Sequence, residues 1–188
     1  MKTYIALFRG INVGGNSILP MKDLVALLED MGFKNIKTHI QSGNAVFQYN
    51  GQDSDSQLSG SIGAEINKRF GFEPKVLLLA LEEMKKAIGS NPFPEAAAEP
   101  KTLHLGFLDG VPANPDVKAL ENLKKVNERF CLEGRLFYLL APDGVGRSKL
   151  AAKAEGLLGV AMTSRNWRTV SKVLEIADSI DSNTRPAV

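Results

Sequence analysis

The sequence holds one cysteine, Cys131, two histidines and one tryptophan, and no apolar run approaches the ~18 residues that a membrane span requires. Each scarcity excludes something. A lone cysteine cannot close an intramolecular disulfide, so the fold is expected to stand without covalent staples in a compartment that keeps the thiol reduced. His39 and His104 have no Cys or carboxylate at ligand spacing; no metal is expected, and both read as hydrogen-bonded structural residues. Nor is one sign of charge in excess, since 23 basic and 21 acidic residues leave +2, short of the balance of a dedicated nucleic-acid binder. There is no G-x-S-x-G nucleophile elbow, and spacing alone pairs none of Glu82, Glu83, Asp109 and Asp116 into an acid/base couple.

What is present is an ordinary globular composition, 44% hydrophobic and 23% charged over 188 residues, enough chain for one large domain or two small ones. The apolar run after Met1 is cut off by Arg9 and carries no small-residue cleavage site, so it reads as a strand rather than a leader, and the expected location is cytoplasmic. A strand is expected at 3–8, then a helix opened by Pro20 with Met21, Leu24, Val25, Leu28 and Met31 on one face, ended by Gly32. Strand-like stretches at 35–41 and 43–49 turn at Ser42-Gly43. A helix with Leu58, Ile62, Ile66 and Phe70 follows, and then a strand at 74–80. The order β-α-β-β-α-β is that of the ferredoxin-like unit, whose two helices cover one face of a sheet.

A helix at 81–89 and a Pro/Ala-rich stretch at 91–100 form a connector. The second half starts again with a strand at 102–108 and a helix signalled by Asn114-Pro115-Asp116, with Val117, Leu120 and Leu123 as its stripe. Strands at 129–133 and 135–141 come next, then a helix capped by Ser148 and carrying Leu150, Ala154, Leu157 and Leu158. Val160-Ala161-Met162 is expected as a last short strand, and a helix from Ser164 to Asp178 ends the pattern. The fold class is therefore expected to be α+β, with two ferredoxin-like subdomains at 1–80 and 101–180, a connector at 81–100, an extra C-terminal helix and a frayed tail at 181–188.

Two stretches carry a resemblance. Leu7-Phe8-Arg9-Gly10-Ile11-Asn12-Val13-Gly14-Gly15, with Pro20-Met21 and Ile40-Gln41-Ser42-Gly43-Asn44-Ala45-Val46-Phe47, and later Thr163-Ser164-Arg165-Asn166-Trp167-Arg168-Thr169-Val170, resemble the signature of the bacterial family called domain of unknown function 1697. The resemblance implies two ferredoxin-like subdomains. It implies no activity, cofactor or catalytic residue.

The loop Gly10-Ile11-Asn12-Val13-Gly14-Gly15-Asn16-Ser17 nearly spells the phosphate-cradling G-x-x-x-x-G-K-[ST]. Asn16 stands where the lysine would neutralise phosphate charge, and the hairpin after the helix contradicts a parallel P-loop sheet, so nucleotide hydrolysis is not expected. Two readings remain open. The glycines supply positive φ for a tight crossing, or their amides, with Arg9 and Asn12, form an anion-binding nest.

The C-terminal third is basic: from Arg147 to Lys172 there are six cations and one acid, Glu155. Gly144-Val145-Gly146 leads into Arg147, Ser148 and Lys149 at a helix N-terminus, and Arg165, Arg168 and Lys172 would share one face of the last helix. The expected function is binding of a phosphate- or carboxylate-bearing small molecule by Arg9, Asn12, Gly14, Gly15, Arg147, Ser148, Lys149, Arg165, Asn166 and Arg168. The alternatives are a nucleic-acid or protein-binding module using the basic helix, with nucleic acid not favoured, and an enzyme acting on an anionic metabolite. RRM-type RNA binding would need rings where Asn44 and Val46 stand, so Tyr4, Phe47 and Tyr49 read as packing, between the half-sheets. A membrane partner is not expected.

Overall fold

A computed structural model of the chain describes residues 1–15 and 17–183. Among the described residues, eight strands and six α-helices run through two rounds of one order. The chain divides into a first unit, residues 1–86 with the stretch from Lys172 onward, and a second unit, residues 87–171.

In the first unit β1 (Lys2–Arg9), α1 (Met21–Asp30), β2 (Lys34–Thr38), β3 (Asn44–Tyr49), α2 (Asp55–Phe70) and β4 (Lys75–Ala80) give an antiparallel sheet of order β2-β3-β1-β4. β1 is almost wholly apolar because both its faces are buried: Tyr4, Ala6 and Phe8 on the helix side, Ile5 and Leu7 on the other. Against the helix side lie Leu24, Leu27 and Leu28 of α1 and Leu58, Ile62 and Ile66 of α2, the i, i+4 stripes of the sequence. Phe33 stacks on Phe47 at 4.5 Å between ring centroids and meets Tyr49 edge-on at 5.0 Å. Such rings contribute about 0.5–1.5 kcal/mol per pair beyond their burial. Tyr4 and Phe47 are thus core residues of this unit's own helix side, not links between half-sheets. At the start of α2 Ser54 and Gln57 form a reciprocal cap, and Gly71, at φ 79°, ends the helix.

In the second unit β5 (Leu103–Leu108), α4 (Val117–Leu123), β6 (Arg129–Glu133), β7 (Leu136–Leu140), α5 (Lys149–Leu158) and β8 (Met162–Asn166) repeat the connectivity, with sheet order β6-β7-β5-β8. Asp116 caps α4 by accepting the Ala119 N–H at 2.9 Å. Leu108, Leu120, Phe137, Leu139, Leu150, Ala154 and Leu158 form the core. α3 (Leu81–Gly89) ends in this unit, where the buried Tyr138 hydroxyl donates to the Ala87 carbonyl at 2.7 Å. Burial, with the Glu133 charge adding to it, pushes that phenol up to about 12.

Three expectations are corrected. β2 stops at Thr38 rather than 41, because Ile40 takes φ 50° and leaves the strand conformation. The last strand is Met162–Asn166, not 160–162, and the last helix, α6 (Trp167–Ser182), starts three residues later than expected. Ser164 and Arg165 pair with Gly106 and Leu105 of β5, and Asn166 caps the helix, its Oδ1 accepting the Thr169 N–H at 2.9 Å. Finally, α6 from Lys172 groups with the first unit, where Asp178 pairs with Lys85 and Asp181 accepts from Thr3. Asp181 and Ser182, placed in the tail from sequence, are helical, and residues 184–188 lie outside the described residues. Asn166→Ala should cost about 1 kcal/mol in chemical denaturation and Asn166→Asp almost nothing, since the carboxylate also caps and suits the helix dipole.

Candidate functional site

The crossing from β1 to α1 is a strained, exposed loop. Gly10, Asn12, Gly14, Gly15 and Ser17 have φ between 52° and 79°, while Val13, Gly14 and Gly15 are exposed. Asn16, the residue in the lysine position of the near-miss motif, lies outside the described residues. A left-handed φ costs a non-glycine residue about 1–2 kcal/mol, least for Asn, so something else must hold the loop in place.

The holder is Asn12. Its main-chain N–H donates to the Ser17 carbonyl at 3.0 Å and closes the loop on itself. Its Nδ2 donates to the carbonyls of Leu19 and Gln41, and its Oδ1 accepts the Leu19 N–H, all at 2.8 Å. The amide therefore ties the glycine loop to a second one, residues 39–43, which joins β2 to β3. That second loop is strained in the same sense, with Ile40 at φ 50° and 51% exposed, and Gly43 at φ 80°. A β-branched residue at positive φ and in water is a marked outlier of the kind that collects at functional sites. The buried Asn44 shapes this loop from below, donating from Nδ2 to the His39 carbonyl at 3.0 Å and to Ser42 Oγ at 3.3 Å.

The electrostatics of the pair are mildly positive. Arg9 ends β1 next to Gly10, half-buried. Burial first, and then the Lys172 charge, push the His39 imidazole below its ordinary value, and the Lys172 Nζ donates to Glu175 at 2.8 Å.

Of the ten candidate residues, the first unit holds Arg9 at the end of β1 and Asn12, Gly14 and Gly15 in the loop that follows it. Asn12 serves there as the clamp. Ile40, Gln41 and Ser42 are not among the ten candidates, although they stand in the same signature stretch as Gly43 and Asn44; the pattern there points to a hairpin turn and to the family, not to a ligand.

The other six residues belong to the second unit. Arg147 and Lys149 are exposed on either side of the buried Ser148, whose Oγ accepts the Ala151 N–H at 3.0 Å and caps α5. Arg165 is not in the last helix but in β8, so it does not share that helix's basic face. Desolvation lowers its guanidinium to about 10, still charged at neutral pH, and Nη1 donates to the Ser164 carbonyl at 2.9 Å. Asn166 is committed to its cap, and Arg168 is exposed in the first turn of α6. The basic helical face thus loses Arg165 and keeps Arg168 and Lys172.

Other chemistry finds little support. Burial, with Glu133 adding, pushes the Cys131 thiol up, away from thiolate. Among the described residues no three His, Cys, Asp or Glu side chains gather as metal ligands would, and no helix is long and apolar enough to cross a membrane. The sheet faces turned from the helices, Ile5, Leu7 and Val46 in one unit and Leu103, Leu105 and Tyr138 in the other, are buried and offer no platform for bases.

Two four-stranded antiparallel sheets of like connectivity, with a clamped glycine loop after the first strand, define the class as an α+β protein built from a repeated β-α-β-β-α-β unit. The chain belongs to the family described as "Protein of unknown function (DUF1697)", whose model matches residues 1–138. The glycine loop and the 39–43 loop fall within the match; the second signature stretch, 163–170, lies beyond it. Among solved structures the chain is similar to conserved bacterial protein SP0830 from Streptococcus pneumoniae, with a TM-score of 0.72 at 22% identity, covering 94% of this chain and 98% of that one. At that identity the likeness concerns the fold alone. No functionally curated protein matches the sequence.

Proposed function

We propose that the protein binds a small molecule through a phosphate or carboxylate group held at the paired loops of the first unit. The Gly14 and Gly15 amides donate to the anion, Arg9 supplies the cation, and Asn12 keeps the two loops in register. One observation carries the reading: Asn12, Ser17 and Ile40, none of them glycine, are held at positive φ in two exposed loops tied together by a single side-chain amide. Strain of this kind persists where the surroundings over-determine it, and it pre-organises donors that would otherwise lose entropy on binding. The exposed glycines let main-chain N–H groups approach an anion closely, and with guanidinium beside them the site suits planar, multidentate acceptors. The basic-helix reading is not favoured, because its face is reduced to Arg168 and the Glu175-paired Lys172.

Thermal denaturation with inorganic phosphate, pyrophosphate and citrate at constant ionic strength tests the proposal. A ligand at a hundred times its dissociation constant should stabilise the fold by about 2.7 kcal/mol, and Arg9→Ala should remove most of that gain. Equal melting temperatures in all anions and in chloride would overturn it. So would undiminished stabilisation of the Arg9→Ala variant.

A further inference from the structure

We infer that the second unit carries a separate binding site, a cavity beside α5 that takes a carboxylate with an apolar body, in the class of medium-chain or arylalkanoic acids. The recess measures about 430 Å3, within the range of small-molecule sites, opens to solvent past the exposed Ala152 and Ser164, and all of its lining comes from the second unit. Phe137 and Leu139 of β7, Met162 of β8 and Val145 before α5 provide apolar walls. The thioether of Met162 lies over Gly106, where a Cβ would stand 2.3 Å from its Sδ, so the glycine in β5 is what lets this wall form.

The polar groups inside are few and largely committed. Ser148 uses its hydroxyl to cap α5. Burial pushes the His104 imidazole below its ordinary value, which favours the neutral ring, against a smaller opposing influence of the Lys101 main chain. That leaves Ser164 as the readily available partner. A sugar or a nucleobase brings several polar groups that would be desolvated there without partners, at a cost for each, whereas an alkyl or aryl body brings none.

The chain next to the lining residues Gly146 and Ser148 has the opposite character. Arg147 and Lys149 bracket Ser148, both are exposed, and among the described residues neither forms an ion pair. Ser148 caps only Ala151, so the first-turn amides of Lys149 and Leu150 also face the N-terminal end of α5. An apolar recess whose lining residue Ser148 is flanked in the chain by two exposed cations complements a single anionic head on an apolar tail. The inference does not depend on the loop pair of the first unit; either site can fail while the other stands.

The test follows the methyl resonance of Met162, one of five methionines, in protein labelled at the methionine methyl carbon and assigned through Met162→Leu. Octanoate or 3-phenylpropionate should shift it saturably, while inorganic phosphate and octanol should bind at least about tenfold more weakly. Arg147→Glu with Lys149→Glu, both exposed, should weaken octanoate by about tenfold, as two lost favourable charges near a helix N-terminus would. Ser164→Trp, an exposed position in β8, should block the cavity and abolish the shift; its melting curve reports whether it folds, and Ala152→Trp on the α5 wall is the second blocking variant. The inference is overturned by a Met162 methyl that does not respond to octanoate, by octanol binding as well as octanoate, by a response to phosphate alone, or by full binding in folded blocking variants.

Discussion

Gly43→Ala should lower the melting temperature by about 5–15 °C, the largest effect expected of any single methyl group added to this chain. Two independent costs combine. Gly43 sits at φ 80°, where an L-residue loses about 1–2 kcal/mol. In addition, a Cβ there would stand 2.7 Å from both the Ile11 Cδ1 and the Phe8 Cβ, side chains that are each only 1% exposed. The Phe8 Cβ is rooted in β1 and cannot swing aside, so the main chain must shift, and the Phe8 N–H to Gly43 carbonyl bond of 2.8 Å shifts with it. Overpacking of this kind costs about 1–3 kcal/mol. Calorimetry on the variant measures the sum. Adding Ile11→Val, which removes the clashing Cδ1, should return part of the loss, and strict additivity of the two substitutions would show that the clash is not its source.

Asn12→Asp should disable the paired loops while leaving the shape of residue 12 almost unchanged. The new carboxylate still accepts the Leu19 N–H, but it presents an oxygen where Nδ2 now donates to the carbonyls of Leu19 and Gln41. Two hydrogen bonds become oxygen–oxygen contacts, and a loss of about 2–4 kcal/mol follows from the missing bonds and the acceptors left without partners. The sign of the pH dependence is diagnostic. Two carbonyls facing the carboxylate disfavour its charged form in the folded protein, so its folded pKa is raised above the unfolded value. The folded state then binds more protons, and the deficit relative to the parent should shrink as pH falls through the raised pKa and grow as pH rises. A penalty independent of pH would mean that the amide does not act as the donor described.

The fold was largely legible because its signals are local and redundant. α1 and α2 show uninterrupted i, i+4 stripes, Ser54 and Gln57 spell a capping box, and β1 is apolar on both faces because both are covered. The misreading at 160–166 has a physical origin. Val160-Ala161-Met162 is the more apolar segment, but Thr163, Ser164 and Arg165 make the ladder with β5, since an edge strand needs main-chain pairing more than apolar side chains. The division of α6 was not legible, as its single amphipathic stripe contains no mark at Lys172 where it changes unit. The glycine loop announced itself, but its partner did not. The contact between Asn12 and Gln41 spans 29 residues and uses a main-chain carbonyl, which no side-chain pattern encodes.

The most direct test of the central claim is an amide-resolved NMR titration with inorganic pyrophosphate, carried out on the parent protein and on Asn12→Asp. The Gly14 and Gly15 cross-peaks of the parent should move together and saturate, with Leu120 of α4 unmoved, and the same peaks should not respond in the variant. Stationary glycine amides in the parent, or an identical response in the variant, would contradict the account.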